Sequence, residues 1–141
     1  MSFQTIRTAI NEKLQSLTGA GNPLAYAYDH HKLGLDGYPS ATFEPSALSS
    51  QFDTTNHNHR IYSFDIVIHQ ELASIGRGEA ITNLVSVSDS VIDAFDQDYT
   101  LGGAIEFTEA VPAEFGEVQT EDAVIAYSRI TLKCHMLKAI F

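Results

Sequence analysis

Alternating acidic residues at the end of a helix-like segment are one candidate for a cation-binding site. The segment Asp96-Gln-Asp98-Tyr-Thr100 begins like a calcium loop, because alternate oxygen ligands suit a hard cation. It then departs from that loop, since Leu101 stands where the loop needs glycine and Phe107 where it needs a bidentate glutamate. We therefore interpret the segment as a turn between a helix and a strand.

Two histidine pairs could contribute to metal binding. His30-His31 and His57-x-His59 supply imidazole nitrogens, which are common zinc ligands. Neither pair has a third ligand at a spacing typical of zinc, and both lie in segments that we predict to be loops. We therefore expect solvated loop histidines and no bound metal.

Cys134 and His135 are the remaining candidates for nucleophilic catalysis. A Cys–His pair requires both side chains within hydrogen-bond reach, whereas neighbouring side chains of a strand point to opposite faces. Cys134 is therefore predicted to be a buried structural thiol. No glycine-rich segment completes a phosphate-binding signature. With no complete site, we expect a protein that is not an enzyme and needs no cofactor.

Length and charge set the class of protein. The 141 residues suit a single domain spanning 1–141, and one cysteine excludes an intrachain disulfide. Eighteen acidic residues against eight basic ones give a formal net charge of −10, which repels nucleic acid and anionic membranes at long range. No apolar run approaches the roughly 20 residues that cross a bilayer, and no signal peptide opens the chain. We expect no membrane partner.

The elements that must position these residues are clearest at the centre of the chain. Large apolar residues at Tyr62, Phe64, Ile66 and Ile68 alternate with other residues, which predicts a strand with one face on a core. Further on, apolar residues recur at spacings of three and four, which predicts an amphipathic helix. These residues are Ile81, Leu84, Val85, Val91, Ile92 and Phe95.

The remaining segments complete the layers. A first helix is predicted from its apolar face, formed by Phe3, Ile6, Ile10, Leu14 and Leu17. Further strands are predicted at 24–28, 38–43, 104–111 and 123–136. The order α-β-β-β-α-β-β indicates an α+β fold, a largely antiparallel sheet of about five strands with two helices packed on one face.

Two segments are predicted to be loops because they lack a sustained period. Residues 45–59 are polar, and we expect a long flexible loop that becomes ordered on contact with a neighbour. Residues 112–122 carry four acidic side chains and are predicted to form an acidic loop.

The overall layout resembles the tail terminator, or tail completion, proteins of long-tailed bacteriophages. The resemblance rests on the N-terminal helix, the strand Arg60-x-Tyr62-x-Phe64-x-Ile66, the amphipathic helix after it, the turn Asp98-Tyr-Thr-Leu-Gly-Gly103 and the long closing strand. Proteins of that group have an α/β fold and form a hexameric ring that caps the tail tube. They end tube polymerisation, provide the surface for head–tail joining and are not enzymes.

The resemblance implies a structural virion protein, located in the tail or neck and in the host cytoplasm during assembly. Its partners would be further copies of itself in a ring, the tail tube protein and the head–neck connector protein. DNA would pass through the ring without being specifically bound, in agreement with the negative net charge. Three alternatives remain open. The first is a head–tail connector or neck protein, and the second is a small-ligand-binding or enzymatic α+β domain whose inward polar groups would be mainly Ser88 and Ser128. The third is a monomeric partner-binding module of a bacterial operon.

Opposite charges in the C-terminal half indicate a candidate assembly interface. One face of the last strand mixes an aromatic side chain with two cations, which is common at protein interfaces. The candidate residues are Tyr127, Arg129, Lys133, Glu106, Glu109, Glu114 and Phe115, with Glu117 in the acidic patch and Ile125, Ile140 and Phe141 as further apolar anchors. Opposite charges on separate surfaces favour head-to-tail association, which is the contact that a closed ring needs.

Overall fold

The computed structural model describes residues 3–32, 35–52, 57–72, 75–119 and 123–139. Its elements are α1 (Phe3–Ser16), β1 (Tyr26–Tyr28), β2 (Ser40–Phe52), β3 (His57–Glu71), α2 (Arg77–Gln97), β4 (Phe107–Gln119) and β5 (Val124–Ala139). They form one five-stranded sheet of order β1-β2-β3-β5-β4, in which β1 pairs parallel to β2 and the other pairs are antiparallel. The predicted α+β fold and its element order are confirmed.

The core lies between the two helices and one face of the sheet. Ile66 of β3 sits between Phe43 of β2 and Ile130 of β5, and all three are almost fully buried. Helix α1 contributes Ile6, Ile10 and Leu14, as its sequence period predicts. Removing each such side chain from water stabilises the fold by about 1.5–3 kcal/mol. Among the described residues, no helix is long and apolar enough to cross a membrane.

The buried stripe of α2 is rotated from the predicted one. The buried residues of this helix are Ala80, Leu84, Val87, Ser88, Val91 and Phe95. Ile81 and Val85, which were expected in the core, are 39% and 43% exposed, and Ile92 is half-buried. The stripe therefore passes through Ala80 and Ser88, small residues at which the helix can approach the sheet closely, and Ile81 and Val85 lie to one side of it.

The prediction of a long loop at 45–59 is wrong for the residues that the structure describes there. Residues 45–52 continue β2 and residues 57–59 begin β3, so this part of the chain is an antiparallel hairpin. Residues 45–50 are exposed on both faces, so burial imposes no alternation on them. A bulge between Pro45 and Ala47 also interrupts the period of two. Residues 53–56 lie outside the described part of the chain.

The acidic loop predicted at 112–122 is strand over residues 112–119, and residues 120–122 lie outside the described part of the chain. Strand β4 continues through Pro112 to Gln119 along β5, with a bulge between Pro112 and Glu114. Proline is tolerated because β4 is an edge strand, whose outer side has no strand partner. The predicted turn after α2 is confirmed, and a carboxylate oxygen of Asp98 accepts the Gly102 N–H at 3.0 Å there.

Candidate assembly interface

The two faces of β5 separate core residues from candidate interface residues. Ala126, Ser128, Ile130, Leu132 and Cys134 are buried on the helix-covered face. The alternating residues Tyr127, Arg129, Thr131 and Lys133 lie half-exposed on the opposite face, which we call the open face. The predicted alternation of this strand is therefore confirmed. Ile125 is only 6% exposed, so it is not available as a surface anchor; Ile140 and Phe141 lie outside the described residues.

The positive and negative candidate residues are neighbours and not separate patches. Arg129 Nη2 lies 3.3 Å from Glu114 Oε1, and the Tyr127 hydroxyl donates to the same carboxylate oxygen at 3.4 Å. Lys133 pairs in register with Glu109. The expectation of opposite charges on separate surfaces is therefore wrong for these residues, because β4 and β5 are adjacent strands. Exposed ion pairs of this kind contribute only about 0.2–1 kcal/mol.

The other two acidic candidates have different surroundings. Glu117 lies on the helix-covered side and forms an ion pair with Arg77 at the start of α2. Glu106 is exposed just before β4, and its backbone N–H donates to the carbonyl oxygen of His135 at 3.0 Å. The acidic residues are thus distributed along both faces of the edge strand, and they do not form one patch.

A groove between α2 and β4 brings together three of the predicted residues. It encloses about 320 Å³, and its sheet side is lined by Phe115 and by the adjoining Glu114 and Arg129, whose side chains belong to the open face by the alternation of their strands. Val85 and Ile92 form its helix side. We call this feature the α2–β4 groove. Phe115 is 59% exposed, so the groove is an accessible apolar surface beside charged residues.

The polar groups at the base of this groove are already paired. Ser88 Oγ and Ser128 Oγ lie 2.6 Å apart, and Ser88 also donates to the Leu84 carbonyl oxygen at 2.7 Å. Both serines face inward, as the sequence predicts. A ligand would gain little from hydroxyl groups whose hydrogen bonds are already made.

A chain of hydrogen bonds crosses the open face near the start of β4. His59 Nε2 lies 3.0 Å from His135 Nδ1, and His135 Nε2 lies 2.5 Å from Glu109 Oε1. The ring of Phe107 stacks on His135 at 4.2 Å. The interpretation of His59 as a solvated loop residue is therefore wrong. The alternation of β3 would have indicated this contact if the strand had been extended back to residue 57.

A second histidine cluster lies at the other end of the open face. Thr42 Oγ1 is 2.8 Å from His31 Nδ1 and 3.2 Å from His69 Nε2, beside a cavity of about 200 Å³. Burial and the nearby His31 lower the pKa of His69 from 6.5 to about 4. Within the described residues, no group of three or more histidine, cysteine or acidic side chains is placed to hold a metal ion.

Cys134 occupies the position expected from the sequence. Its side chain is fully buried on the helix-covered face, and burial raises the pKa of the thiol to about 12. The thiolate needed for nucleophilic attack is therefore strongly disfavoured. His135 turns to the opposite face, where it contacts His59.

Comparison with known proteins finds similarity at the level of structure and not of sequence families. No protein-family model matches this sequence, and no curated protein matches it. A chain in the solved virion of a native gene transfer agent (GTA) particle has a similar fold, with a TM-score of 0.50 and 14% identity. The match covers 94% of this chain and 95% of that chain. At this identity the likeness establishes the fold.

Proposed function

We propose that this chain is a structural protein of a phage-like virion, and that within it the chain acts as the tail terminator. Several copies form a ring, a hexamer in the family that the sequence resembles, which caps the tail tube and ends its polymerisation. The ring then provides the surface for head–tail joining. The main support for the proposal is the similarity in fold to a chain of the GTA virion. This similarity extends over nearly the whole of both chains.

The surface chemistry supports an assembly role. The α2–β4 groove presents Phe115 and Val85, which are large apolar side chains more than 40% exposed. Such exposed apolar surface is typical of sites that bind another protein. The formal net charge of −10 suits a ring through which DNA passes without adhering. In this proposal the protein is not an enzyme, needs no cofactor, and has itself, the tube protein and the head–neck connector as partners.

A head–tail connector or neck protein is the second candidate, because the fold match supports any structural role in the virion equally. The small-ligand-binding alternative has less support. Its expected polar groups, Ser88 and Ser128, bond to each other at 2.6 Å in place of a ligand.

Deletion of the gene tests the proposal and separates the first two candidates. Particles from the deleted and complemented strains would be compared by electron microscopy for tail length and for joining to heads. A tail terminator predicts tails of uncontrolled length that do not join heads, and complementation should restore both properties. A neck protein predicts tails of normal length that stay unjoined. Normal tails joined to heads would show that the proposed function is wrong.

A further inference from the structure

The hairpin of β2 and β3 presents an apolar side chain and a cation on the same face. Residues 45–52 and 57–61, together with the β5 residues 135–139, form this feature, which we call the arm. Leu48 pairs in register with Tyr62 on the helix-covered side of the sheet, yet it is 51% exposed. Arg60 lies on the same side, where its guanidinium donates to the Tyr62 hydroxyl at 3.3 Å. Among the described residues it forms no ion pair with a carboxylate.

The described residues of the arm are positively charged, although the chain as a whole is acidic. They include Arg60 and Lys138 and no acidic residue. Since the whole chain carries −10, the rest of the sequence carries −12.

The α2–β4 groove has the complementary character. The charged residues that line it are Asp89, Glu114 and Arg129, and the last two form an ion pair with each other. Asp89 lines the groove beside Val85 and is exposed, and it forms no ion pair among the described residues. The groove therefore offers apolar side chains beside an unpaired anion, whereas the arm offers an apolar side chain beside an unpaired cation.

Within one subunit the arm and the groove cannot touch. Leu48 lies level with Cys134 of β5, whereas the base of the groove is at Ser128, six residues along that strand. The groove also lies toward the opposite edge of the sheet from β2. Strand spacing and rise place Leu48 and the groove about 20–25 Å apart. A contact between them must join two subunits, and because the two surfaces are separate and different it can be made head-to-tail from one copy to the next.

We infer that the α2–β4 groove receives the arm of a second copy of this chain, with Leu48 against Val85 and Phe115 and with Arg60 facing Asp89. This contact rests on the proposed ring and identifies the surfaces that close it. The apolar part supplies most of the affinity, and the charge pair fixes the register and rejects other orientations. Each subunit uses its arm on one neighbour and its groove on the other, and in the proposed ring the rotation of this contact closes.

Disulfide capture tests the contact directly. The buried Cys134 does not compete, so the thiols of Leu48→Cys and Val85→Cys are the reactive ones. A mixture of these two single variants is expected to yield a covalent dimer under mild oxidation, and the double variant a ladder of multimers. Tyr99→Cys is the matched control, because Tyr99 is exposed on the turn after α2 and away from the groove. A dimer yield no higher with Val85→Cys than with Tyr99→Cys would overturn the inference.

A charge exchange provides an independent test in proteins without added cysteines. Arg60→Glu and Asp89→Arg each place like charges together and should raise the concentration for half-maximal assembly about tenfold or more. The double variant restores an attractive pair and should recover most of the loss. Assembly would be followed by sedimentation velocity, with circular dichroism to establish that each variant is folded. Unchanged assembly in both single variants would contradict the proposed register.

The two proposals fail in different ways. If the strain lacking the gene makes normal tails but Leu48→Cys and Val85→Cys still cross-link selectively, the tail function is wrong and the contact between copies stands. If tails lose length control but neither the cross-link nor the charge exchange has the expected result, the function stands and the ring closes through other surfaces.

Discussion

His69 gives the stability of this fold a defined dependence on pH. Burial and the neighbouring His31 lower its pKa in the folded chain from 6.5 to about 4. The unfolded chain therefore binds a proton at a higher pH than the folded chain does, and acid favours unfolding. The contribution to stability is fully present above pH 6.5 and is lost as the pH falls toward about 4.

The magnitude follows from the size of this shift. One pKa unit corresponds to about 1.4 kcal/mol. Lowering the pH from 7.5 to 5 should remove about 1–2 kcal/mol from the free energy of unfolding, where the lower figure allows for the partial solvent contact of this half-buried ring. Against a total stability of about 5–15 kcal/mol for a domain, the change is readily measured.

Urea unfolding of wild type and His69→Gln at the two pH values tests the prediction. Glutamine keeps a polar group beside Thr42 but does not titrate, so the variant should lose less stability than wild type as the pH falls. Acidic residues titrate in both proteins and cancel in the comparison. His30→Gln removes an exposed histidine beside Asp29 and serves as the matched control. The reasoning is refuted if His69→Gln and wild type lose the same free energy between pH 7.5 and pH 5.

Two further predictions concern packing and thiol reactivity. Phe64→Ala deletes a fully buried ring and should lower the free energy of unfolding by about 3–5 kcal/mol, whereas Phe115→Ala, at a ring that is 59% exposed, should change it by less than about 0.5 kcal/mol. Equal losses in urea unfolding would contradict the assignment of the two faces. Cys134, whose pKa is raised to about 12, should react with a thiol reagent only after unfolding, and rapid labelling of native protein would show that it is accessible.

The parts of the fold predicted from sequence are those in which burial imposes a period. Helix α1 and the middle of β3 each place one face on the core, so the side chains of Ile10 and Phe64 follow the expected spacing. The outer halves of β2 and β4 have solvent on both faces, and backbone pairing holds them without a side-chain pattern. Both were therefore interpreted as loops.

The candidate interface was predictable to a similar extent. Alternation along β5 correctly placed Tyr127 and Arg129 on the face away from the core. Their pairing with Glu114 depends on the bulge in β4, which shifts the register by one residue and is not encoded in a recognisable motif. Val85 was misplaced because a helix with apolar residues on more than one side does not reveal which side faces the sheet.

The hydrogen-bond chain on the open face connects side chains from three neighbouring strands, β3, β5 and β4. With one proton on each imidazole, His59 donates to His135 and His135 donates to Glu109, and every polar contact is made. Side chains therefore link β3, β5 and β4 in addition to the backbone pairing of these strands. Separation of the edge strand β4 from β5 must also break the hydrogen bond between His135 and Glu109.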